Sequence, residues 1–143
     1  MDLPRTLTSA TAASLLALAA CTTTPQTRNP AQLQLSDSAR ALYENARVLA
    51  ERADAEKTPG LSADAHELER RAYDFNAAVA SGRASDNELR ADFDQVRGSY
   101  QRVHDALEHS NTAQARSELD LVNRPYRDVA SRMGESPPPA SGS

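Results

Sequence analysis

The chain has 143 residues, room for one domain, and only 4% of them are aromatic, with two Phe and no Trp, so any core must rest on Leu, Val, Ala and Tyr. Its net charge of −4 is spread over alternating acids and arginines, with Lys57 the only Lys, which excludes the basic surface that nucleic-acid binding requires. One cysteine, Cys21, excludes an internal disulfide and any metal site built from several thiolates.

From Ala12 to Ala20 the only polar residue is Ser14. This run is too short for a bilayer span of ~20 residues and has the length of the apolar segment of a signal peptide. It ends in Leu18-Ala19-Ala20-Cys21. Small side chains before the cut let an extended backbone enter a peptidase, and a thiol is the nucleophile that an acyl-glyceryl donor alkylates. The tetrapeptide resembles the lipobox of bacterial lipoprotein precursors. The resemblance implies that residues 1–20 are a signal peptide and that Cys21 becomes the new N-terminus, carrying more than one acyl chain such as palmitate, because a single chain anchors only marginally. Thr22 stands where that family's inner-membrane retention signal places Asp, which implies an outer-membrane anchor with the protein on the periplasmic face.

Residues 21–35 then read as the lipidated cysteine and a polar tether with two prolines, extended over up to ~45 Å at about 3.3 Å per residue. Beyond it, apolar residues recur at alternating steps of three and four, the spacing of one helix face. Ala39, Leu42, Ala46, Leu49 and Ala53 predict a helix over about 37–57, started by Ser36 or Ser38 and ended by Pro59 and Gly60. Leu61, Ala65, Leu68, Ala72, Phe75 and Val79 predict a second over about 63–81, capped by Ser62 and stopped by Gly82. The third opens on the capping-box pattern Ser85 and Glu88 and continues through Leu89, Phe93, Val96, Tyr100, Val103 and Leu107. Asn111 and Gln114 open the fourth in a similar relation, followed by Ala115, Leu119, Val122, Tyr126, Val129 and Met133, and Gly134 ends it.

Four helices of about 20 residues with short connections predict an all-α, up-down-up-down antiparallel four-helix bundle over residues 36–134, followed by a disordered Pro/Ser tail over 135–143. The same Ala-rich stripes also suit helices that associate between chains. Pro125 lies inside the fourth stripe. A kink solvated on the outer face is the simpler expectation there, and a functional groove with Tyr100 and Tyr126 as polar handles is the other.

In size and topology the bundle is distantly similar to the cytochrome b562 and c′ families, but their haem ligands are missing: there is no Cys-x-x-Cys-His, no Met on the first helix and no His on the last. No Glu-x-x-His occurs, so the di-iron pattern is missing as well. His66, His104 and His109 lie beside their stripes, where solvated polar residues belong. His104 with Glu108, and Asp105 with His109, have the i,i+4 spacing of a weak surface cation site. No hydrolase, phosphate-loop or zinc motif appears, so neither an enzyme nor a cofactor is expected. The reading is a non-catalytic, lipid-anchored envelope lipoprotein whose bundle contacts an envelope protein or the cell wall; the alternative is a periplasmic bundle that binds a metal or small ligand.

Overall fold

The computed structural model describes residues 29–110 and 113–135, which form four helices: α1 Pro30–Ala55, α2 Pro59–Ser81, α3 Asp86–Ser110 and α4 Ala113–Arg132. Backbone contacts join α1 to α2, α2 to α3, α3 to α4 and α4 to α1, while the diagonal pairs do not meet. Connections of a few residues make successive helices antiparallel, so the ring is the expected up-down-up-down bundle. The leader, Cys21, Asn111 and the tail from Ser136 lie outside the described residues.

The stripes read from the sequence are the core. Ala39, Leu42, Ala46 and Leu49 of α1, Leu68 and Phe75 of α2, Phe93 and Val103 of α3, and Val122 and Val129 of α4 are all fully buried. Residue size sets the spacing between helices. Fully buried alanines, three at seven-residue steps in α1 (Ala39, Ala46, Ala53) and two in α2 (Ala65, Ala72), let these two backbones run closest of the four pairs. Tyr100 of α3 and Tyr126 of α4 stack face to face at 3.9 Å between the pair that runs least close.

The helix ends required more correction than the stripes. α1 starts at Pro30, not near residue 37, so residues 30–35 are helical and not part of an extended tether. Asn29 is the cap: its Oδ1 accepts from the Ala31 N–H at 3.2 Å, and Gln32 Oε1 reaches back to the Asn29 N–H at 3.3 Å. Pro30, with φ fixed and no N–H to leave unpaired, suits the first turn. Ser36 and Ser38 therefore cap nothing, and Ser38 is buried inside the bundle. Likewise Pro59 opens α2 instead of merely ending α1; Thr58 holds the cap position, and Ser62, inside the first turns, donates its hydroxyl to Asp54 Oδ1 across the turn. The Ser85 and Glu88 box is present, with Glu88 Oε2 accepting from the Ser85 N–H at 2.7 Å. These bonds hold the Glu88 carboxyl below its ordinary range.

Both α1 and α4 end in the same hydrogen-bonded motif. After α4, Glu135 N–H donates to the Ala130 carbonyl at 2.9 Å and Gly134 N–H to that of Ser131 at 3.2 Å, with Gly134 at φ 75°. After α1, Thr58 N–H donates to the Ala53 carbonyl at 3.3 Å and Lys57 N–H to that of Asp54 at 3.2 Å, but the left-handed residue is Lys57, at φ 55°. A Cβ in that conformation costs about 1–2 kcal/mol. Lys57→Gly removes this strain and adds freedom to the unfolded chain, leaving a net gain of about 0.5–1 kcal/mol. A higher urea midpoint at an unchanged m-value is the expected result; an unchanged or lower midpoint contradicts it.

Candidate functional site

The four cation-site residues occupy the last turns of α3 but do not converge. His104 Nδ1 lies 3.8 Å from Asp105 Oδ1 and 3.7 Å from Glu108 Oε2, too long for hydrogen bonds, and the ring leans on Tyr100 at 5.7 Å between centroids. His109 Nδ1 instead donates to the Asp105 carbonyl at 2.6 Å, one turn back in its own helix. His104 and His109 are five residues apart, about 140° around the helix at 3.6 residues per turn, so their rings leave on different sides. Among the described residues, no three His, Cys, Asp or Glu side chains are grouped to hold a metal ion.

His66 is more than the solvated residue its position beside the stripe suggests. Its Nε2 lies 3.0 Å from Asp54 Oδ2 and its Nδ1 3.2 Å from Glu69 Oε2. With both ring nitrogens used, it ties the end of α1 to α2 and offers no lone pair to a ligand. The bonds to Asp54 and Glu69 raise the imidazole above its usual range, and Ser62 with His66 lowers the Asp54 carboxyl.

At Pro125 both sequence expectations need correction. Tyr100 and Tyr126 are 1% and 2% exposed, their rings parallel within 2°, so neither is a handle in a groove. Phe93 lies 5.5 Å from Tyr126 and 5.5 Å from Phe75, extending the aromatic cluster to α2. The Tyr100 hydroxyl donates to Asn123 Oδ1 at 3.1 Å. Burial raises both phenols, that of Tyr100 to about 12, so both are neutral donors at physiological pH. Pro125 is itself buried, not turned to solvent. It shares a seven-residue line with Arg132, which bonds to Ser38 and Gln34 of α1, and with Glu118, whose neighbour Gln114 bonds to Glu56 just after α1, so the proline lies on the α1 side of α4.

A cleft of about 360 Å³ lies elsewhere, at the end of the bundle formed by the start of α1 and the α2–α3 turn. Leu35, Val79 and Leu89 supply apolar wall, and Gln32, Arg83 and Asp86 supply polar groups of both charge signs. Its volume is at the small end of ligand pockets.

The polar residues at the α1–α4 seam are what stripe reading missed. Ser38, assigned to a cap by its spacing, accepts from Arg132 Nε at 2.8 Å, and Gln34 Oε1 accepts from Arg132 Nη1 at 2.7 Å. Glu118, at 2% exposure, is the buried carboxylic acid of the core, and Gln114 Nε2 donates to it at 3.3 Å and to Glu56 of the segment after α1. Its position beside Leu119, on the line of Pro125 and Arg132, was the only sequence signal. No helix among the described residues is long and apolar enough to cross a membrane. Compared with known proteins, the chain matches no family model, no curated protein and no solved structure.

Proposed function

We propose that this chain is a non-catalytic lipoprotein of the bacterial cell envelope, anchored through lipid on Cys21 and presenting its bundle as an interaction domain on the periplasmic face of the outer membrane. The observation that carries the reading is the tetrapeptide Leu18-Ala19-Ala20-Cys21 at the end of an apolar run. The early start of α1 is compatible with it: eight residues separate Cys21 from Pro30, and the nine steps between them reach ~30 Å at about 3.3 Å each. Such a tether holds the end of the bundle with the α2–α3 turn nearer the membrane. The surface favours a polar partner, since among the described residues the large exposed apolar side chains are Leu33 and Tyr73. The alternative, a small-ligand-binding bundle, draws on the cleft beside Leu35 and Leu89.

Metabolic labelling with palmitate tests the anchor. Wild type incorporates label and fractionates with membranes; Cys21→Ala incorporates none and is released. Equal labelling of the two proteins overturns the proposal.

A further inference from the structure

The two ends of α4 are fastened to α1 by unlike chemistry. At the C-terminal end Arg132 donates to Ser38 and Gln34, both neutral acceptors, and an arginine keeps its charge throughout the physiological range. At the N-terminal end the fastening is acidic. Glu118 is 2% exposed, Gln114 Nε2 donates to both Glu118 and Glu56, and the Glu56 carboxyl is within hydrogen-bond reach of Glu118. Among the described residues the charged groups that act on Glu118 are Glu56 and Arg52 from the α1 side, Arg52 only through space, and no charged group of α3 contributes. A carboxylate buried beside another carboxylate, with no cation bonded to it, favours its protonated form. Burial is the main cause that raises Glu118, Glu56 adds to it, and Gln114 and Arg52 oppose it.

Between the two fastenings lies Pro125. It has no N–H, so the Leu121 carbonyl receives no helical bond and the ladder is interrupted between residues 113–124 and 126–132. The weak point is on the side facing α1, where a hinge must be for one half to leave that helix.

We propose that the first half of α4 is a proton-operated gate: protonated Glu118 donates to the Glu56 carboxylate and holds residues 113–124 on α1, and release of that proton to solvent frees this half to swing at Pro125 while Arg132 keeps the second half docked. Opening uncovers Ala115, Leu119 and Val122, all buried in the closed bundle. The direction follows from linkage. The folded chain keeps the Glu118 proton to higher pH than the unfolded chain does, so closure is complete below the ordinary glutamate range and is lost as pH rises through the elevated Glu118 value.

Amide hydrogen exchange of the full chain, corrected for intrinsic rates, from about pH 5 to about pH 8, tests the gate. In wild type, protection of amides in 117–124 falls by up to about tenfold per pH unit, the limit for one linked proton, while amides in 126–132 and in α2 change far less. Glu118→Gln keeps the size and hydrogen-bonding reach of the side chain without a proton to lose, and its profile is flat. Glu56→Gln removes the smaller cause and leaves burial, so it weakens the response without abolishing it, whereas Glu51→Gln, at an exposed pair with Arg47, leaves it as in wild type. Equal pH response in both halves of α4, or a wild-type response persisting in Glu118→Gln, overturns the proposal.

Discussion

Phe93→Ala should lower the stability of the bundle by about 3–5 kcal/mol, the usual cost of removing a buried aromatic ring. Phe93 is fully buried and holds the aromatic cluster together, 5.5 Å from Phe75 on α2 and 5.5 Å from Tyr126 on α4. Truncation removes the ring's transfer energy and leaves a cavity at the meeting point of three helices, between the rings of Phe75 and Tyr126. A domain of this size has roughly 5–15 kcal/mol in all, so the loss takes a large share. At about 4–8 °C per kcal/mol, the melting temperature falls by at least ~12 °C. Tyr73→Ala is the contrast: that ring is 54% exposed and touches Tyr43 edge-on at 5.5 Å, and its removal should cost well under half as much. Guanidinium titrations of the two variants decide the matter, and similar midpoints would mean that the aromatic cluster is not the centre of the core.

The helix stripes were legible because burial selects side chains at one repeating angle, and four stripes of equal length leave few ways to close. Phe75, Phe93 and Val122 could be placed inside from spacing alone. The ends were less legible because capping depends on a single side chain meeting a single N–H. Asn29 with Gln32 satisfies that condition as well as any serine, and it starts α1 seven residues early, taking residues 30–35 from the expected tether. Ser38 and Glu118 were hidden for a different reason. Each is polar and lies beside its stripe, and only its partners make it an interior residue: Arg132 of the facing helix in one case, and Gln114 of its own helix, bridging to Glu56 after α1, in the other. Tyr100 and Tyr126 fall on the core stripes by spacing and are core residues; what fails is the alternative of a groove at Pro125, since a tyrosine on a stripe is a handle or a core residue according to the room left by its opposite number. Here each is the other's opposite number, at 3.9 Å.

The bundle therefore has two chemically different ends. One combines the start of α1, the cleft beside Leu35 and Leu89, and the Arg132 fastening to Ser38 and Gln34. The other carries the Glu118 and Glu56 fastening and the His66 bridge to Asp54. If the anchor on Cys21 is as proposed, the first end lies toward the membrane and the acidic end away from it, where the gate is free to open without meeting lipid.

Ala72→Leu should destabilise the bundle by about 1–3 kcal/mol, although leucine is the more hydrophobic residue. Ala72 is fully buried on α2, the helix whose backbone runs closest to α1, and that approach depends on alanines in both stripes. Leucine puts three more carbon atoms where the two backbones already meet. The helices must separate or the side chain must leave its rotamer, and either response outweighs the added apolar burial. Ala77→Leu, five residues along the same helix and exposed, is the control, expected to stay within about 0.5 kcal/mol of wild type. Thermal melts of the two variants separate packing from helix propensity, since both substitutions change propensity alike. A drop confined to Ala72→Leu is expected, and a melting temperature equal to that of Ala77→Leu would place the closest helix approach somewhere other than along this line of alanines.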